Sequence, residues 1–345
     1  MPELKDVIGL AKALSEDDRK KLVAIFKKTV FDEENNVDDF LIRERFANGR
    51  VCPHCGSTAV CKNGHQKDGT QRYICKDCRK SFVATTNSIA FGTRKDLSVW
   101  REYIKYMILG LSLREAAGFC GISCTTAFVW RHKILDALQH MADEVVLDGI
   151  VEADEKFYSI SYKGNHKKSK TFKMPREPRK TVEKDKKRGI SKQKVCVLCA
   201  VNRNGLSVAK IGNLGRASAK DLHFVFDNRI HPDAVLCTDG LNSYRPFTEE
   251  AGLKLVQTKG TESRRGEYNI QHINSYHSQL TTFLNRFRGV SSKYLNNYLV
   301  WHNFANYAKN TPEEKQVLLL RFALATPEKI TNKQIPRRNP LPISV

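Results

Sequence analysis

No stretch of this chain reaches the ~18 consecutive apolar residues that a membrane helix needs. Its first thirty residues are charged and amphipathic and hold no apolar centre of a secretory leader. Both absences lead us to expect a soluble, cytoplasmic protein with no membrane partner. Acidic residues are the second scarcity: 37 Asp+Glu face 58 Lys+Arg, which leaves a net charge of +21 over 345 residues. An intracellular chain so short of acid is expected to meet nucleic acid. At 41% hydrophobic residues it is not a wholly disordered chain. Its length allows two or three domains with a sizeable core, at about 100–200 residues each.

Cysteine is not scarce: there are ten. In a reducing compartment they are expected as metal ligands or buried thiols rather than as a disulfide framework. Cys52-Pro-His-Cys55 and Cys75-Lys-Asp-Cys78 are two Cys-x2-Cys knuckles with nineteen residues between them. That spacing lets four thiolates close a tetrahedral Zn²⁺ site, and four protein ligands leave no open position, so the metal is structural. Val60 to Asn63 and Gln71 to Ile74 read as strands around a Lys67–Thr70 turn, which makes the unit a zinc ribbon. His54, inside a knuckle, is the alternative ligand, and Cys61 reads as a bystander. Cys196 and Cys199 form a third Cys-x2-Cys, but in an apolar run that reads as a buried strand. Residues three apart on a strand point to opposite faces, which suits no single metal. Cys120, Cys124 and Cys237 read as buried small residues.

Residues 1–47 carry amphipathic helical patterning. The ribbon is expected over 48–92. A helix from Leu97 to Leu109 and a second pair around Gly121, reaching about Leu138, suggest a helix-turn-helix within 93–145. Its second helix is expected to present Thr125, Thr126, Arg131 and Lys133 to DNA; an ordinary helical hairpin that binds nothing is the alternative. From Gly149 the pattern turns to strands at Ile150–Asp154, Val195–Val201, Leu206–Ile211 and Ala234–Thr238, with helices near 217–228 and 271–286. The class is α/β over 146–310, followed by a C-terminal helix and tail at 311–345. The Pro336-Arg-Arg-Asn-Pro tail reads as disordered. Residues 163–194 interrupt the domain with fourteen Lys/Arg against three Asp/Glu. Few are apolar, so this reads as a basic arm or loop, with Lys167, Lys168, Lys186, Lys187 and Arg188 as DNA-phosphate candidates.

The chemistry is expected at Asp154 in Val-Glu-Ala-Asp-Glu, Asp239 in Cys-Thr-Asp-Gly, and His277 in Ile-Asn-Ser-Tyr-His. Two divalent ions held ~4 Å apart by hard ligands are a standard means of cleaving phosphodiesters. Carboxylates at strand ends can bridge such ions, and Glu152 or Glu155 could assist. Asn274, one helical turn before His277, is the rival third ligand. Arg286 and Arg288 follow on the same helix as candidates for DNA contact.

With these pieces in order, the chain resembles the zinc-ribbon insertion-sequence transposases of the ISXO2-like, Merlin-related family, with an Asp-Asp-Glu-type catalytic domain. The resemblance rests on Cys52/Cys55/Cys75/Cys78, the turn at Gly121, Val151–Glu155, Thr238-Asp-Gly240 with Ser243-Tyr244, and His272–His277. It spans residues 50 to 309. It implies a ribonuclease-H-like catalytic core preceded by a zinc ribbon and a helix-turn-helix. The activity it implies is binding to the element's terminal inverted repeats, cleavage there, and joining of 3′-hydroxyls to target DNA. Structural Zn²⁺, catalytic Mg²⁺ or Mn²⁺, double-stranded DNA, a homo-oligomer and a bacterial, nucleoid-associated setting come with it. His277 stands where many relatives have Glu. An imidazole brings no negative charge and is softer, so Mn²⁺ is expected to serve at least as well as Mg²⁺, with activity lost as pH falls through the imidazole pKa. An inactive, transposase-derived DNA-binding regulator is the other reading.

Overall fold

The computed structural model describes Ser15 and residues 17–18, 37–164, 192, 194–258, 264–306, 311–325 and 330–341. The basic candidates Lys167, Lys168, Lys186, Lys187 and Arg188 lie outside the described residues, as does most of the segment before 37. The chain divides into two compact units, residues 1–86 with 90–102 and residues 87–89 with 103–345.

In the first unit, helix α1 (Val37–Arg45) precedes strands β1 (Val60–His65), β2 (Gln71–Cys75) and β3 (Ser81–Val83), which pair antiparallel in that order. Gly69, at φ 85°, turns the chain between β1 and β2. Asp68 accepts from the Thr70 amide at 3.0 Å, an Asx turn that keeps the hairpin tight. Tyr73 and Phe82 stack with ring centroids 5.6 Å apart, and with Cys52 and Cys75 they form a very small apolar core.

Helix α2 (Leu97–Ile108) leads to α3 (Leu113–Phe119) and α4 (Cys124–Asp143). Ser112 opens α3 with a capping box: its hydroxyl accepts from the Glu115 amide, and the Glu115 carboxylate accepts from the Ser112 amide. Gly121, at φ 58°, closes it. The Ile122 amide donates to Ala117 O at 3.0 Å and the Gly121 amide to Gly118 O at 3.2 Å, a Schellman ending that makes the turn expected there.

Two of the four α4 residues expected to meet DNA, Arg131 and Lys133, are buried. Thr125 is exposed and Thr126 half-buried, its amide donating to Ser123 Oγ. Arg131 is 1% exposed and Lys133 9% exposed. The Arg131 guanidinium lies 4.9 Å from the Trp301 ring centroid and donates to Leu111 O, while the Lys133 ammonium donates to Ile89 O. Beyond its first turn α4 packs under α8 (Leu295–Asn306) and α9 (Pro312–Ala325), so these two cations brace the interior. Cys124, at the start of α4, is exposed rather than buried.

The centre of this unit is a five-stranded sheet of β4 (Ile150–Ser159), β5 (Lys194–Asn202), β6 (Ser207–Leu214), β7 (Val235–Thr238) and β8 (Lys254–Gln257), in the order β6-β5-β4-β7-β8. β5 runs antiparallel to both of its neighbours, β4 and β6, while β7 and β8 run parallel to β4. β5 is buried from Val195 to Asn202, so its apolar run has no polar face to show, and Cys196 and Cys199 sit inside it. Helices α5 (Ala219–Phe226) and α6 (Tyr244–Ala251) cover one face through Leu222, Phe226, Tyr244 and Phe247. Helix α7 (Gln271–Asn285) lies on β4 and β5 and packs against α8.

The C-terminal tail is ordered over 330–341, against expectation. Ile335 is fully buried, Tyr294 and Lys293 donate to Ile335 O and Pro336 O, and Arg338 pairs with Asp136 and Asn297. One apolar anchor and one paired arginine suffice to seat a segment whose composition reads as disordered.

Candidate active site

The four cysteines converge. All four Sγ atoms lie within 4.8 Å of one another, with Cys52–Cys78 and Cys55–Cys75 each at 3.7 Å. A tetrahedron with Zn–S near 2.3 Å has S···S edges of about 3.8 Å, so the cage fits zinc as it stands. The backbone amides of Cys78 and Asp77 hold the Cys75 thiol down to about 6, which favours the thiolate a metal needs. Cys61, on β1, instead points its sulfur at Ile74 O. Among the described residues no other set of three or more His, Cys, Asp and Glu ligand atoms converges this closely.

Asp154 and Asp239 come together through strand register. β4 and β7 pair in parallel up to Ala153 opposite Thr238, so Asp154, next on β4, comes beside Asp239, the first residue past the end of β7. Each has one carboxylate oxygen held by the backbone, Asp154 Oδ1 by the Glu155 amide and Asp239 Oδ1 by the Leu241 amide, at 2.8 and 2.9 Å. Gln257, at the end of β8, donates to Asp239 O and Leu241 O and so fixes the loop behind the second aspartate. Nothing in the sequence singles Gln257 out; its strand is four residues long with no alternation.

His277 reaches this pair from α7. Its Nδ1 lies 3.7 Å from Asp154 Oδ2, while its Nε2 is buried with no hydrogen-bond partner. Burial, and then Lys156, hold the imidazole down to about 4, so it is neutral at physiological pH. Asn274, the rival, is exposed; of the two it is His277 that meets Asp154. Arg286 and Arg288 are exposed beyond the end of α7. Glu155 points to the opposite face from Asp154, beside Tyr244, and burial raises it to about 7. Glu152 shares Asp154's face but is spent on the start of α7, accepting the His272 amide at 2.7 Å and the Ile273 amide at 3.0 Å.

Burial raises Asp154 to about 6, and Asp239 beside it adds to the rise. The folded protein therefore holds this proton more tightly than the unfolded chain. The penalty is complete above the folded pKa and disappears as pH falls through about 6 towards the ordinary carboxylate value. At about 1.4 kcal/mol per tenfold change in equilibrium, ionised Asp154 costs the fold on the order of 3 kcal/mol at pH 7. Asp154→Asn is accordingly expected to stabilise the metal-free protein by about 2–3 kcal/mol at pH 7 and by little at pH 4, in urea unfolding with chelator present. A destabilised variant at pH 7 would show that the carboxylate is not carried at a cost.

Comparison with known proteins gives a consistent picture. Residues 146–304 match the family described as ISXO2-like transposase domain, and residues 32–81 match the transposase zinc-ribbon domain. A curated relative from Halobacterium salinarum, an uncharacterized protein in transposable element ISH50, is 25% identical over 274 residues, which cover 78% of this chain and 89% of that protein. Among solved structures, the Mos1 mariner paired end complex with Mn aligns over 65% of this chain and 77% of its own, at 11% identity and a TM-score of 0.25. A pre-cleavage Mos1 transpososome aligns over 66% and 78%, at 10% identity and a TM-score of 0.20. Scores this low carry no argument.

Proposed function

Because residues 32–81 and 146–304 of this chain belong to the zinc-ribbon, ISXO2-like transposases, we propose that it cuts and joins DNA at the ends of its own insertion sequence. It binds the terminal inverted repeats, hydrolyses phosphodiester bonds there and joins the freed 3′-hydroxyls to target DNA. Its core is of the ribonuclease-H-like kind, a reading supported by three antiparallel strands followed by two parallel ones, with one aspartate on the central strand and another just past the end of its parallel neighbour. The observation that carries the proposal is the meeting of Asp154 on β4 with Asp239 at the C-terminal end of β7, with His277 3.7 Å from Asp154.

The donor set fits divalent cations. A desolvated carboxylate beside a neutral imidazole whose Nε2 has no partner is a site short of positive charge. Asp154, Asp239 and His277 would hold the ions. Divalent ions bound there would activate the attacking oxygen and neutralise the leaving one. The protein's own part is to fix the three donors, Asp154 and Asp239 through amide hydrogen bonds and His277 through the buried stripe of α7. Two ends must meet for joining, so the working form is a homo-oligomer. The ribbon, Thr125 and Thr126 at the start of α4, Arg286, Arg288 and the lysines and arginines of 163–194 are the groups that contact double-stranded DNA. None of the described helices is long and apolar enough to cross a membrane.

The test uses purified protein and a supercoiled plasmid carrying the DNA that flanks the gene. Nicks at defined ends and joined products, dependent on Mg²⁺ or Mn²⁺ and at least as fast in Mn²⁺, are expected. Cleavage without joining would reduce the protein to a nuclease, and specific binding without breakage to a regulator. Acid should act through Asp154 rather than His277, whose titration lies near 4. At limiting metal, cleavage is expected to fall as pH drops through about 6, and excess Mn²⁺ should move that fall to lower pH because ion and proton compete for one carboxylate. A midpoint indifferent to metal concentration would remove Asp154 from the metal site.

A further inference from the structure

Helix α7 carries His277 but brings no complementary charge of its own to either end. Its N-cap residue is Ile270, which has no side chain to cap with, and it has no acidic residue in the first turn and no basic residue in the last. Asn269 Oδ1 accepts the Gln271 amide at 3.1 Å, and the charges at the two ends come from β4 and the residues just after it. At the N-terminus, Glu152 of β4, fully buried, accepts the amides of His272 and Ile273, the second and third positions of the helix, where a local cap would bind. Its other oxygen lies 2.9 Å from His272 Nδ1 and 3.0 Å from the Arg203 guanidinium, which also donates to Glu267 O. A carboxylate at a helix N-terminus is favoured by the helix dipole as well as by the two hydrogen bonds.

At the far end, Lys163 lies four residues past the end of β4. Its ammonium donates to Phe287 O, Arg288 O and Gly289 O at 3.2, 3.0 and 2.8 Å, which uses all three of its hydrogens. Arg288 and Gly289 have φ of 50° and 97°, the left-handed backbone that turns these carbonyls together. Between the two charges, Ser161 O accepts from the Ser292 amide and the Ser161 amide donates to Ser292 Oγ. The dimensions allow this: fifteen helical residues span about 22 Å, and a ten-residue strand about 33 Å, so one strand and its extension reach both ends of the helix.

We propose that Glu152 and Lys163 are positioning residues that clamp α7 by its two ends to the strand of Asp154 and thereby set the His277–Asp154 separation. The proposal rests on the reading of Asp154 and His277 as metal ligands. It assigns Glu152 a role other than metal binding, since the His272 and Ile273 amides and the Arg203 guanidinium already occupy both of its oxygens.

The experiment compares Glu152→Gln and Lys163→Met with wild type. In the wild-type protein labelled at histidine, Mn²⁺ alone is expected to broaden the His277 ring signal, a readout that requires no catalysis. Both variants should raise the Mn²⁺ concentration for half-broadening, about tenfold for Glu152→Gln and several-fold for Lys163→Met. The amides of His272 and Ile273 should exchange with solvent at least tenfold faster in Glu152→Gln. Lys163→Met, at an exposed site, keeps the fold where the buried change risks it, and Lys163→Arg should restore most of the effect. A role in fold stability alone would lower the melting temperature of both variants and leave the Mn²⁺ half-point at its wild-type value, and that result overturns the clamp. So does a wild-type His277 signal that Mn²⁺ leaves sharp. Should the wild type bind Mn²⁺ beside His277 with the expected sensitivity to Glu152, yet never break DNA, the transposase reading falls while the clamp stands.

Discussion

Asp239→Ala is expected to abolish metal-dependent strand breakage, with a loss of at least about 10³-fold in rate, while DNA binding and folding persist. The size follows from charge stabilisation by bound metal, which is worth several kcal/mol in the transition state, each ~1.4 kcal/mol being tenfold. The fold gives up little. Asp239 is half-exposed, and its one backbone interaction is the Leu241 amide at 2.9 Å, a turn hydrogen bond worth about 1 kcal/mol. Gln257 still holds Asp239 O and Leu241 O from β8, so the loop keeps its path. Asp239→Asn separates charge from geometry: it retains an oxygen for the Leu241 amide and should be as inactive as the alanine. An asparagine variant that kept a tenth or more of the activity would mean that Asp239 shapes the loop and does not hold the ion.

An aspartate at a strand end is by itself as readily a turn former, as the Leu241 amide on Asp239 Oδ1 illustrates, so the two aspartates stood out in the sequence only through their order among the other motifs. The choice between His277 and Asn274 was legible only in retrospect. Both lie one turn apart, but Ile273, Tyr276, Leu280 and Leu284 form the buried stripe of α7, and His277 falls on it while Asn274 does not. The same test applied to α4 would have moved Arg131 inward, since Phe128, Ile134 and Leu135 flank it three and four residues away. The charge of Arg131 outweighed its position in the sequence reading; in the fold the aromatic face of Trp301 takes the charge. What periodicity could not reach is the part made by distant partners: α6 and β8 are too short to show a repeat. The same holds for Glu152, whose donors are 120 residues away.

Cys75→Ser is expected to remove the zinc and unfold the ribbon, so that the protein loses specific binding to the element ends while the sheet domain still melts cooperatively. The ribbon cannot stand on its apolar core. Tyr73 and Phe82 are its only large fully packed side chains, and burying each returns about 2–3 kcal/mol. Ordering the backbone from Cys52 to Val83 costs at least about 1 kcal/mol for each of roughly thirty residues. A structural zinc, worth roughly 10–16 kcal/mol in small domains, is a larger stabilising contribution than that core. Serine at 75 leaves three thiolates and an alcohol that does not ionise, and it removes a thiol the Cys78 and Asp77 amides already favour as thiolate. The core sheet has its own buried cluster around Leu198, Phe226 and Phe247 and lies in the other compact unit, so its unfolding transition should persist. Zinc content by elemental analysis, end binding by gel shift and the two transitions by circular dichroism check this on one preparation. If zinc and end binding both survived in Cys75→Ser, His54 or another donor would have to complete the site, and the four-cysteine cage would not be what holds the ribbon together.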